Sequence, residues 1–93
     1  MDLTRKHVFV TGKVQGVGFR WSAHSRARGL GLTGWVRNLA DCRVELCFQG
    51  DQGAVNEMED WCRTGLPNSR VKVTGISVSD EAPVDGETGF DIR

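Results

Sequence analysis

Gly12-Lys13-Val14-Gln15-Gly16-Val17-Gly18-Phe19-Arg20 joins an alternating stretch of sequence to a helical one. Upstream, Lys6 to Val14 puts Val8 and Val10 on one face and His7, Phe9 and Thr11 on the other, which is the two-residue period of a strand. Downstream, Phe19, Ala23, Ala27 and Leu30 recur at helical spacing, and Gly29 and Gly31 supply a stop. Between the two, glycines at 12, 16 and 18 let the backbone turn tightly with no Cβ in the way of a ligand. A strand-to-helix loop of this kind aims successive N–H groups inward at the positive end of a helix dipole, which suits an oxyanion. Arg20, in the first turn, adds a planar fork of donors matched to phosphate or carboxylate. A cation there opposes the dipole by about 0.3–1 kcal/mol, and a bound anion removes the conflict.

Beyond this loop the pattern continues in alternation. Leu32 to Leu39 and Arg43 to Gln49 read as two strands of a hairpin around Ala40-Asp41-Cys42. Ala54 to Thr64 places Val55, Met58, Trp61 and Cys62 on one helical stripe, between a capping Asp51 and a terminating Gly65. Val71 to Ser79 alternates loosely, Phe90 to Arg93 adds a short closing strand, and Pro67 and Pro83 fall in loops. The order β-α-β-β-α-β predicts an α+β, ferredoxin-like split β-α-β sandwich. Its antiparallel sheet would have four to five strands, with two helices on one face and the other face partly in solvent.

Composition bounds the function. The 93 residues, 39% apolar and 26% charged, make one ordinary globular domain spanning 1–93. Net charge is zero, yet residues 1–50 carry eight Lys/Arg against three Asp/Glu, and residues 51–93 carry four against nine. The basic half holds the anion loop, but the balance is not that of a nucleic-acid binder. Neither a membrane-spanning run nor a secretory leader is written in the chain. Cys42, Cys47 and Cys62 are odd in number and lack C-x-x-C spacing, so they read as reduced thiols of a cytoplasmic protein rather than a zinc site or disulfide framework.

Other phosphate motifs fail on spelling. Gly12-Lys13 is followed by Val14 with no glycine five residues earlier, so the Walker pattern is absent. Gly16-Val17-Gly18 lacks the third glycine of a dinucleotide fingerprint. Phe48, Gly53 and Asn68 stand six residues after the cysteines, where a thiolate phosphatase loop needs arginine. His7 and His24 read as surface or packing residues, and Asp41 and Glu45 as solvated charges rather than a metal pair. Trp61 reads as core, and packing is the first reading for Trp21 as well.

Residues 12–20 resemble the acylphosphatase signature, glycine-x-valine-glutamine-glycine-valine-x-aromatic-arginine, at every position. Gly34-Trp35-Val36-Arg37-Asn38 is similar to that family's glycine-aromatic-small-basic-asparagine strand, and the order of elements follows the family from about Lys6 to Arg93. The resemblance implies hydrolysis of acyl phosphates to a carboxylate and inorganic phosphate by a monomer, with no metal, no cofactor and no covalent enzyme intermediate. By the same resemblance Arg20 and Asn38 are the catalytic residues: Arg20 binds the substrate phosphate and Asn38 orients the attacking water. Gln15, Gly16, Val17, Gly18, Phe19 and Arg20 supply the phosphate-binding donors. The partner implied is a small-molecule acyl phosphate, with neither nucleic acid nor membrane involved.

One departure stands out. The family usually has a glycine four residues after the asparagine, where this sequence has Cys42. If that position needs a positive φ, a cysteine there costs on the order of 1 kcal/mol. The alternative to an enzyme is a ferredoxin-like binding module that captures a phosphorylated ligand or single-stranded RNA. Phe9 is available for the RNA reading, but the balanced charge and the absence of an R-G-F-G-F-V-like strand oppose it.

Overall fold

Val8 and Val10, the apolar face of the first alternating run, are fully buried, and their strand, β1, spans Thr4–Lys13. The computed structural model describes residues 3–66 and 69–93; Pro67, read as a loop residue, lies outside them. After β1 come α1 (Phe19–Gly29), β2 (Thr33–Asn38), β3 (Val44–Gly50), α2 (Gln52–Thr64), β4 (Lys72–Glu81) and β5 (Phe90–Ile92). The five strands form one sheet in the order β4-β1-β3-β2-β5.

Antiparallel pairing joins β1 to β3, β1 to β4 and β2 to β3. The expectation of a purely antiparallel sheet needs correction, because β5 runs parallel to β2, with Gly34 opposite Phe90 and Val36 opposite Ile92. The path of the chain gives the reason. It leaves β4 at the end of the sheet where β2 begins, crosses to the far edge through residues 82–89, and re-enters in the direction of β2.

Both helices pack on one face. Phe19, Ala23 and Ala27 of α1 and Val55, Met58 and Cys62 of α2 meet Val8, Val10, Val36, Val44, Leu46 and Phe48 of the sheet in a single core. These are the stripes that periods of 3.6 and 2 place inward. Trp61 joins at the edge, its ring 5.2 Å from that of Phe19. Burial pushes the Cys62 thiol up to about 12, so it is a packing group and no nucleophile.

The opposite face is more covered than an open sheet. Residues 82–89 strap across it: Gln49 donates to Val84 O at 2.9 Å, and Glu87 takes hydrogen bonds from Arg5 and Thr33, both 2.8 Å. Glu45, read as a solvated charge, is 6% exposed instead. It lies against Arg37 Nε at 2.6 Å and His7 Nε2 at 2.5 Å. Burial pushes its carboxyl up, but the hydrogen bonds from Arg37 and His7 outweigh that and hold it below the usual carboxylate range. Phe9 and Trp35 also sit on this face, and guanidinium groups stack over both rings: Arg43 over Phe9, Arg37 and Arg93 over Trp35. The aromatic platform that an RNA reader would offer to bases is thus occupied by the chain's own side chains.

Candidate active site

The loop between β1 and α1 is pinned at both ends and left bare between them. Val14 and Phe19 are each 1% exposed, and Val17 packs against the core from the middle. Gly16 and Gly18 alternate with these anchors at the surface, with φ of +73° and +83°. Those angles belong to glycine, and no protein atom lies within 4 Å of where a Cβ would stand on either residue. A ligand therefore meets backbone there.

The amides are free to meet it. Ser22 N–H donates to Gly18 O at 3.1 Å and opens the helix, but no backbone carbonyl among the described residues takes an amide of residues 15–20. Gly18 caps α1 with no side-chain hydrogen bond, and the first turn contains no acid. Two unmet demands, N–H groups without acceptors and a dipole without a counter-charge, thus coincide at one helix start. Arg20 is half-buried in that turn, and none of the ion pairs among the described residues includes it.

Asn38 reaches the same end of the molecule from a different element. β1 and β2 both run antiparallel to β3, so the exit of β1 and the last residue of β2 lie at one end of the sheet. Asn38 Oδ1 is buried and has no hydrogen-bond partner among the described protein groups. An unmet buried acceptor costs about 1–3 kcal/mol, so its retention needs a reason. The hairpin after Asn38 turns through Cys42, whose φ of 74° is the positive value the position was suspected to require. Asp41, beside it, is held below its ordinary range by hydrogen bonds from the Arg43 amide and guanidinium.

The side chain and the backbone amide of Gln15 have separate donors to offer. Its side chain donates to Leu39 O at 2.8 Å and Arg43 O at 2.9 Å, which leaves the backbone amide as the donor an anion could use. Trp21, read as a packing residue, is 69% exposed. With Ser22, Ser25, Arg26, Trp61 and Leu66 it lines an open groove of about 500 Å³.

Such a strand-loop-helix, set in a five-stranded sheet with both helices on one face, defines an α+β protein of the ferredoxin-like class. A family model described as Acylphosphatase matches residues 6–92. An acylphosphatase of Roseiflexus sp. is 49% identical over 92 residues, covering 99% of this chain and 97% of that protein. One from Trichormus variabilis is 52% identical over 92 residues, covering 99% and 88%. The crystal structure of acylphosphatase from Bacillus subtilis superposes with a TM-score of 0.88 at 37% identity, covering 99% of each chain. The chain belongs to the acylphosphatase family, and it is an enzyme that hydrolyses acyl phosphates.

Proposed function

We propose that water attacks the phosphoryl group of the acyl phosphate directly, with the amides of Gln15 to Phe19 and the Arg20 guanidinium holding the phosphate and Asn38 placing the water. The chemistry asks for little else. The leaving group is a carboxylate whose conjugate acid has a pKa of about 4, so it departs at neutral pH without a proton donor. Positioning and charge stabilisation then carry the rate. Amides fixed by Val14, Val17 and Phe19 supply that stabilisation without reorganising, and Arg20 adds a bidentate fork for two phosphoryl oxygens.

The observation that carries this reading is the unpaired Asn38 Oδ1. A water that donates one hydrogen to Oδ1 keeps a lone pair free to point at phosphorus, which fits the nucleophile of an in-line displacement. Small acyl phosphates are the substrate class, and the free state of all three cysteines fits a reducing compartment such as the cytoplasm.

Hydrolysis of benzoyl phosphate in ¹⁸O-labelled water tests the mechanism. Attack at phosphorus puts the label in inorganic phosphate, and label in benzoate would mean attack at the carbonyl and refute the scheme. Tight phosphate binding with no turnover would return the chain to the binding-module reading.

A further inference from the structure

We infer that the side chain of Gln15 is a positioning residue, a cross-brace that sets Asn38 against the phosphate loop. The inference rests on the proposed role of Asn38 in placing water. Gln15 Nε2 spends its two hydrogens on two carbonyls that bracket the β2–β3 turn, Leu39 O at 2.8 Å and Arg43 O at 2.9 Å. Both carbonyls already serve the turn itself: Leu39 O accepts from Cys42 N–H at 3.2 Å, and Arg43 O accepts from Leu39 N–H at 2.8 Å. Gln15 takes the remaining lone pair of each. One amide group therefore fastens both ends of the turn to the loop that cradles the anion.

Its leverage falls on Asn38, which precedes Leu39 directly and closes β2. The brace matters because the turn is under tension, holding a cysteine in the left-handed region. Without Gln15, nothing among the described hydrogen bonds ties the loop of residues 14–18 to this hairpin. Asn38 Oδ1 would then lose its fixed distance to the bound phosphate. A displacement of about 1 Å at a positioning group costs on the order of 10² in rate.

A double-mutant cycle on benzoyl phosphate hydrolysis, with inorganic phosphate as competitive inhibitor, tests the brace. Gln15→Met keeps the length of the side chain and removes both donors. In the native background it should lower kcat by about 10-fold or more, whereas beside Asn38→Ala it should cost less than about 3-fold, because the two act as one unit. The inhibition constant for phosphate should move less than about twofold, since the amides of the cradle remain. Gln15→Asn, one carbon too short to reach both carbonyls, should repeat the pattern and covers the event that the methionine variant folds poorly.

An equal loss of kcat in both backgrounds, an effect confined to the phosphate constant, or no effect would overturn the inference. If Asn38→Ala itself left kcat intact, the water-placing role would fall, and the brace with it. If Asn38→Ala is costly and the Gln15 loss is merely additive, only the brace falls.

Discussion

The two helices of this sandwich begin in opposite ways. α2 starts behind Asp51, whose carboxylate accepts from Gly53 N–H at 3.1 Å. It is also tied to β1 through Glu59, which lies 2.6 Å from Lys6 Nζ and is held from within the helix by Arg63 at 2.8 Å. α1 starts behind Gly18 with no side-chain cap. It carries Arg20, Arg26 and Arg28 but no acid, and no ion pair among the described residues uses any of its side chains. Both helices lie on one face of one sheet and bury three residues each, so packing does not require the difference. What differs is the source of the counter-charge. α2 finds it within the chain, and on the proposed mechanism α1 takes it from the substrate phosphate.

The largest expected effect comes from blunting the open end. Arg20→Lys keeps the charge but loses the planar fork, and turnover should fall by about 10² or more. Its melting temperature should stay near that of the parent, as for other substitutions outside the core. Turnover near the parent level from the folded variant would erase the contrast on the α1 side.

Acid attacks the closed side. Hydrogen bonds from Lys6 and Arg63 hold Glu59 below the usual carboxylate range. Burial raises Glu87, but hydrogen bonds from Arg5 and Thr33 outweigh it and leave this group low as well, like Glu45. Groups depressed in the folded state bind fewer protons than in the unfolded chain. Their stabilisation is full above about pH 4.3 and is lost as pH falls through the folded values. Melting temperature should therefore hold from pH 7 to about 5 and drop steadily toward pH 3. Glu59→Gln should flatten part of that drop, and an unchanged slope in this variant would show that the tether of α2 is idle.

A smaller effect sharpens the comparison from the same side. Asp51→Ala removes the cap and should cost about 1 kcal/mol, or roughly 4–8 °C in melting temperature, with kcat unaltered. A loss of turnover would mean that the two helix starts are not independent. The smallest effect belongs to the hairpin. Cys42→Gly relieves about 1–2 kcal/mol of left-handed strain but adds about 0.5–1 kcal/mol of unfolded-chain entropy. The net gain of about 0.5 kcal/mol corresponds to roughly 2–4 °C. A lower melting temperature would show that the turn at Cys42 holds no strain.

What could be read from the sequence was local or periodic. The stripes Phe19-Ala23-Ala27 and Val55-Met58-Cys62 announce their helices, and both are buried where the period puts them. Cys42 was legible only through the glycine that the family keeps there, and its φ of 74° explains that glycine. The parallel pairing of β5 was hidden because the direction of a closing strand depends on where a distant strand exits, not on its own residues. Glu45 was misread for the same reason: its partners Arg37 and His7 sit on two flanking strands, and spacing along the chain does not show a cross-strand neighbour. The brace from Gln15 spans 24 and 28 residues to its acceptors, so no motif around position 15 carries it. Trp21 was read as packing against the spacing of its own helix: it stands two residues, about 200° of turn, from Phe19 on the buried stripe, and it faces solvent.

Phosphate titrated into ¹⁵N-labelled protein compares the two helix starts in one experiment. The amides of Gly16 to Arg20 should shift with a common saturating dependence on phosphate, while those of Gln52 to Val55 at the capped helix stay in place. Shifts of equal size at both ends, or none at the uncapped loop, would contradict the claim that α1 is held open for an anion.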